Sequence, residues 1–143
     1  MIRPATLADA NAIFDIAKEQ TRMYPKLIAD EDKMHRGIIQ AISSAKHFAW
    51  VSEQDENVTG ALIALVSPNL WAQRSNCIVA LWISQVVGDG RKMMKELIKW
   101  MRNRRVIRVA GIVPDTDKIS PRALLLAEYM GFKRCGGAHL YYN

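Results

Sequence analysis

The stretch CIVALWIS (77–84), QVVGDGRK (85–92) and MMKELIKWM (93–101) decides how the chain is read. Its first eight residues are a short apolar run, which predicts a strand buried in a sheet. Met93, Met94, Leu97, Ile98, Trp100 and Met101 then follow at helical spacing, with basic residues on the opposite face, which predicts an amphipathic helix. Gly88 and Gly90 stand between, so the order is strand, glycine turn, helix. Glycine lets backbone approach a ligand with no Cβ in the way, and the free amides and dipole of a helix N-terminus stabilise an anion. A diphosphate suits such a turn. The turn lacks the third glycine of a dinucleotide fingerprint and the Gly-Lys-Ser/Thr of a P-loop, and the same pattern also closes strand–helix turns that bind nothing.

Working outward on the N-terminal side, GALIALV (60–66) is too apolar for a half-exposed strand and belongs at the centre of the sheet. His47 to Ser52 reads as its hairpin partner across a turn at Asp55-Glu56-Asn57. Ile2 to Ala5 reads as an edge strand because of Pro4, and Thr6 with Asp9 as the cap of a helix from about Leu7 to Arg22. Met23-Tyr24-Pro25 ends that helix, and a second starts near Glu31 with Met34, Ile38, Ile39 and Ile42 on one face. Ser67 to Asn76 is expected to be a loop. On the C-terminal side follow a strand over Val106–Val113, a loop with Pro114 and Asp115-Thr116-Asp117, and a helix from Ser120 to Met130 closed by Gly131. Phe132 to Tyr142 makes one strand or a pair joined at Gly136-Gly137. The order is β-α-α-β-β-β-α-β-α-β(β).

The 143 residues suit one domain spanning 1–143, and the composition, half hydrophobic and about a quarter charged, excludes a disordered or collagen-like chain. No apolar run is long enough to span a membrane, and the first residues resemble neither a signal peptide nor a lipidation site, so no membrane role and a cytoplasmic location are expected. Cys77 and Cys135 form no C-x-x-C pair and no histidine clusters with them, so no metal is expected and both read as buried free thiols.

The net charge is +6, and Gly88 to Arg108 carries all of it: Arg91, Lys92, Lys95, Lys99, Arg102, Arg104, Arg105 and Arg108 against Asp89 and Glu96. Such a field attracts polyanions, whether a nucleotide cofactor, nucleic acid, an acidic protein or an anionic surface. A solvated helix face whose last cations suit the dipole is the plainer alternative. Trp100 sits among these cations but falls on the apolar face with Met93 and Leu97, so it is expected in the core.

Taken in register, three segments make the whole chain resemble the GCN5-related N-acetyltransferase (GNAT) family. MIRPATLADA (1–10) is similar to the opening of many members, QVVGDG (85–90) to the acyl-CoA motif Gln/Arg-x-x-Gly-x-Gly/Ala, and ALLLAEYMGF (123–132) to the helix that closes in Gly-Phe. The resemblance implies an α/β domain with a central mixed, mostly antiparallel sheet flanked by helices. It also implies transfer of an acetyl group from acetyl-CoA to an amine by direct attack. On that basis the amides of Val86, Val87, Gly88, Asp89, Gly90 and Arg91 would hold the coenzyme A pyrophosphate, following Gln85, with charge from Arg91 and Lys92. The backbone of Ile83 and Ser84 would pair with the pantetheine amides, and Ser120, Arg122 and Ala123 would lie near the thiol or adenosine end.

Several positions depart from the family pattern. The tyrosine that commonly protonates the leaving thiolate is Ala127 here, and Tyr129 lies about 200° round the helix from it. No acidic residue occurs between Asn57 and Gly88, which leaves His47, Asp115, Asp117 and His139 as candidate bases, each also an ordinary surface or turn residue. No catalytic residue is assigned. Members commonly have several more residues between the fourth strand and the glycines, so either the phosphate loop is short or the strand extends. The acceptor, a small-molecule or protein amine, would enter near Tyr24 and Trp71. An exposed Leu70-Trp71 pair would call for a partner subunit, as in a homodimer, a lid or an apolar acceptor pocket, unless it packs back on its own hairpin. Two rivals stand beside the enzyme. One is a family-fold binding or structural module without turnover; the other, less favoured, is a nucleic-acid-binding or modifying protein using the basic helix. Small phage-encoded relatives suit either.

Overall fold

The run Gly60 to Val66 sets the architecture, because a strand sends successive side chains to opposite faces and here both faces are apolar. In the computed structural model it lies within β3 (Asn57–Pro68) at the middle of the sheet. The structure describes residues 1–21, 29–71, 73–104, 107–112, 121–135 and 138–142, with backbone only for 107–112, 134–135 and 138–142.

The elements in chain order are β1 (Ile2–Pro4), α1 (Ala10–Thr21), α2 (Glu31–Ser43), β2 (Phe48–Gln54), β3, β4 (Ser75–Ser84), α3 (Asp89–Arg102), β5 (Ile107–Ile112), α4 (Pro121–Tyr129), β6 (Lys133–Cys135) and β7 (Ala138–Tyr142). They form one sheet in the order β1-β2-β3-β4-β5-β7-β6. Every described pairing is antiparallel except β4 with β5, so the sheet is mixed and mostly antiparallel as expected. Such a parallel pair needs a crossover, and α3 supplies it.

Two local expectations change and one open alternative is resolved. The first turn of the first helix, Leu7–Asp9, is a 3-10 turn ahead of α1. The expected loop 67–76 is shorter, because pairing continues to Pro68 opposite Ser75. The terminal stretch is a pair of strands, β6 and β7, with Cys135 opposite Ala138.

Two cores follow from the two faces of β3. Ala61 and Ile63 pack with Ala10, Ile13, Ile38, Ala41, Val51 and Leu81 beneath α1 and α2. Leu62 and Ala64 pack on the other face with Phe48, Cys77, Val79, Met93, Met94, Leu97 and Met101 beneath α3, joined by Ala127 of α4 and by Phe132.

Edge strand β1 is fastened by charge. Arg3 donates to both carboxylate oxygens of Asp9, at 2.8 and 2.9 Å, and from Nε to Glu53 Oε2 at 2.7 Å. Asp9 Oδ2 also accepts from the Thr6 amide and hydroxyl, so the Thr6–Asp9 cap forms. The Arg3 hydrogen bond, against the cost of burial, lowers the Asp9 pKa from 3.8 to about 2.

Candidate functional site

The glycine turn sits where the sequence places it. β4 ends at Ser84 and α3 begins at Asp89, so four residues make the turn and the strand does not extend further. Of the two alternatives, the short turn is the one found. Gly88 caps α3 with φ +90°, a conformation that costs glycine nothing and strains any other residue. Gly90 answers to space instead: a Cβ there would lie 3.3 Å from Trp82 Nε1, and that indole nitrogen donates to the Gly90 carbonyl at 3.0 Å. Ser84 Oγ donates to the Val86 carbonyl at 2.7 Å and the Asp89 amide to the same carbonyl at 3.3 Å, which closes the turn.

Asp89 is buried, and its carboxylate points inward to the sheet. Oδ2 accepts from Ser52 Oγ at 3.1 Å and Oδ1 from Lys92 Nζ at 2.7 Å, while Ser52 also meets Thr59 Oγ1 at 2.8 Å. The Lys92 bond first, then the Ser52 bond, hold its pKa below the usual carboxylate range against the cost of burial. The turn is thereby anchored to β2 and β3. The outward amides of Gly90 and Arg91 have no acceptor among the described residues, as expected in the first turn of a helix. Arg91 lies exposed beside them, and the Lys92 charge is partly committed to Asp89.

The described residues leave one edge of the strand leading into the turn open. Pairing of β4 with β5 reaches Val79 opposite Ile112, and beyond it Leu81 to Ser84 pair with β3 alone among the described residues. The Gln85 amide donates to the Thr59 carbonyl at 2.9 Å. Backbone alternation then turns Ile83 toward β3 and the amides and carbonyls of Trp82 and Ser84 toward the open edge. At its far end the β3–β4 register breaks: Ile63 faces Leu81 and Ala64 faces Val79, so Ala80 is an unpaired bulge where β4 parts from β5.

Beside the bulge lies a cavity of about 550 Å³. Ala17, Gln20 and Thr21 of α1, Met34 and Ile38 of α2, Ile63 and Leu65 of β3, and Ala80 and Leu81 of β4 line it, with Asp30 at the start of α2. Asp30 is the one carboxylate and Lys33 the one cation among its described lining residues, and Asp30 Oδ1 accepts from the Lys33 amide at 2.9 Å to cap α2. The pattern of residues points to the ends of α1 and α2 but carries no sign of the bulge, which exists only in the pairing.

Other expected residues separate. Trp71 is 94% and Leu70 89% exposed, with the Trp71 amide donating to Asn69 Oδ1 at 2.8 Å, so the pair does not pack back on its hairpin; neither lines the cavity. Arg122 is exposed on the first turn of α4 and Ala123 half-buried. Tyr24, Asp115, Asp117 and Ser120 lie outside the described residues, as do the side chains of His139 and Cys135. His47 Nδ1 accepts from the Val66 amide at 3.1 Å, which commits that nitrogen to the β2–β3 hairpin. Ala127 is fully buried in the α3 core, and Tyr129 is exposed with Arg91 over its ring at 5.2 Å. Cys77 is a buried free thiol, and burial raises its pKa to about 12. Trp100 packs at a steep angle on Phe48, with the Arg104 guanidinium 4.4 Å from its ring centre, and joins the core as expected. Among the described residues no cluster suits a metal ion, and no helix is long and apolar enough to cross a membrane.

No protein-family model and no curated protein sequence matches the chain. Solved structures do. A phosphinothricin acetyltransferase of the GNAT superfamily from Sinorhizobium meliloti, in complex with acetyl-CoA, superposes with a TM-score of 0.80 at 18% identity, over 99% of this chain and 87% of that one. A ribosomal-protein-alanine N-acetyltransferase from Brucella melitensis gives 0.77 at 20% identity, over 100% and 99%. An N-acetyltransferase from Staphylococcus aureus gives 0.76 at 16% identity, over 99% and 97%. At these identities the likeness is one of fold, and the chain has the GNAT fold over its length.

Proposed function

We propose that this chain is an acyl-CoA-dependent N-acetyltransferase that moves an acetyl group from acetyl-CoA to an amine by direct attack. The observation that carries the reading is a continuous path: a glycine turn at a helix N-terminus, an open strand edge, a bulge, and a cavity beside the bulge. The path fits coenzyme A. The amides of Gly90 and Arg91, the α3 dipole and the Arg91 guanidinium suit the pyrophosphate. The main chain of Trp82 and Ser84 takes the two pantetheine amides, with Ile83 between them turned to β3. From Ser84 back to Ala80 is about 13 Å at strand rise, a span suited to an extended pantetheine arm. Bound there, acetyl-CoA supplies an activated acyl group at the bulge. Arg122 and Ala123, at the start of α4, remain on the adenosine side of this reading.

The chain's contribution is placement. Backbone donors at the bulge polarise the acyl carbonyl, and the cavity presents the amine beside it. Two structures with the same fold were solved with acetyl-CoA and a third with coenzyme A, which supports the choice of donor.

A second reading, a binding module that has lost turnover, is favoured by α4. Ala127 stands buried where the resemblance implies a tyrosine, and Tyr129 projects to the Arg91 side.

Calorimetric titration with acetyl-CoA decides the first question, and thiol release with a panel of amines the second. Micromolar binding that weakens at least tenfold in Arg91→Glu, an exposed position where the fold is not at risk, is the expected result. Absence of binding, or binding indifferent to Arg91→Glu, overturns the site. Binding without thiol release above the amine-free rate leaves the module reading standing.

A further inference from the structure

The basic face of α3 does more than the phosphate turn requires. Arg91, Lys95, Lys99 and Arg102 are four or three residues apart, so at 100° per residue they fall within an arc of about 80° along the helix. They line one groove of about 500 Å³ with Asn103 and, from α4, Tyr129. No carboxylate is among its described lining residues. Glu96, the acidic residue of mid-helix, lies outside the groove and reaches Lys99 at 3.9 Å, a loose exposed contact. Lys95 has no ion pair among the described residues.

Two features separate this groove from an ordinary solvated face. Its cations span about 16 Å along the axis from the first turn onward, whereas an anion held by the helix N-terminus needs that turn alone. Their step of about 6 Å is of the order of the spacing between successive phosphates of one nucleic-acid strand. Tyr129, 75% exposed, also stands at the groove with the Arg91 guanidinium against its ring, which leaves an aromatic face beside the cationic track. Single-stranded nucleic acid is bound by this pairing of a cationic groove with an aromatic platform. A duplex keeps its bases within its own stack and so offers the ring none, and a purely acidic peptide supplies anions but no ring to stack.

We propose that the α3–α4 groove binds single-stranded nucleic acid, with three or four backbone phosphates along Arg91, Lys95, Lys99 and Arg102 and a base stacked on Tyr129. The inference does not depend on acetyl-transfer, and its test contains no coenzyme A.

The test is fluorescence anisotropy of a labelled 12-nucleotide single strand with the full chain, repeated with the matching duplex and with poly-glutamate. Single-strand affinity is expected to fall about twenty- to fifty-fold between 50 and 200 mM salt, as release of counterions from three or four phosphates requires. Lys95→Gln with Lys99→Gln should cut that salt slope by about 1.4 and weaken binding. Tyr129→Ala should weaken it at least fivefold with the slope unchanged. No binding at 50 mM salt overturns the proposal, as does a flat salt response. Equal binding of duplex or poly-glutamate, or indifference to Tyr129→Ala, overturns it in favour of a nonspecific charge effect. Circular dichroism of each variant, all at exposed positions, separates loss of binding from loss of fold.

Discussion

At the residue scale the sharpest consequence concerns Asp9, whose carboxylate joins β1, the first helical turn and, through Arg3, the end of β2. Its folded pKa of about 2 lies below its usual 3.8. A depressed carboxylate contributes stability that is full above the unfolded value and is lost as pH falls from near 4 toward 2. Asp9→Asn should therefore cost about 1 to 2 kcal/mol at neutral pH and much less at pH 2. Urea melts of both proteins at pH 7 and pH 2 measure this, and a stability gap of equal size at both pH values would exclude the linkage. Thr6 with Asp9 was legible from spacing alone, because a cap is a local device. Arg3 as the third member was not, since its partnership with Glu53 crosses fifty residues and depends on β1 pairing with β2. The glycine turn divides in the same way: two glycines were visible, but only the structure separates Gly88, needed for its φ, from Gly90, needed for space beside Trp82.

Among the elements, β4 carries the largest share of the proposed site, and its placement rests on a close approach by β3. A Cβ on Gly60 would lie 2.6 Å from the Ile83 carbonyl oxygen and 2.9 Å from Ser84 Cα, both backbone atoms that cannot swing aside. Gly60→Ala should cost about 2 to 3 kcal/mol and also weaken acetyl-CoA binding, because displacing Ile83 and Ser84 shifts the strand whose other edge is open. Gly37 of α2 meets nothing within 4 Å of a built Cβ, so Gly37→Ala should instead stabilise by up to about 1 kcal/mol. Thermal melts of the two variants check both signs, and a neutral Gly60→Ala would mean that β3 and β4 are not held this close. Strands and helices were readable here because their periods are local. The bulge at Ala80 was not, since Val79, Ala80 and Leu81 form part of one apolar run and only the pairing of Ile63 with Leu81 and Ala64 with Val79 reveals the extra residue. The cavity stayed hidden for the same reason, as its wall joins α1, α2, β3 and β4.

Across the whole molecule, one strand divides two cores, and this determines how the protein loses its fold. Ile13 is fully buried beneath α1, and Leu97 is fully buried beneath α3 on the other face. Ala61 and Ile63 serve the first core, Leu62 and Ala64 the second, so neither core can come apart without freeing the backbone that orders the other. The tryptophans make this testable. Trp50, Trp82 and Trp100 all pack on the α3 core, and Trp71 is exposed at the hairpin tip, so their emission reports one face of the sheet while far-ultraviolet circular dichroism reports all the helices. Ile13→Ala and Leu97→Ala should each cost about 2 to 5 kcal/mol through lost burial and the cavity left behind. If the sheet couples the faces, Ile13→Ala shifts the denaturation midpoint seen by tryptophan emission as far as the one seen by circular dichroism, although no tryptophan packs on the core it damages. A shift confined to circular dichroism would show that the α1–α2 layer opens by itself. In that case the cavity beside Ala80 would be a separable part, and acceptor entry would be governed by local opening of that layer while the open edge of β4 stayed intact.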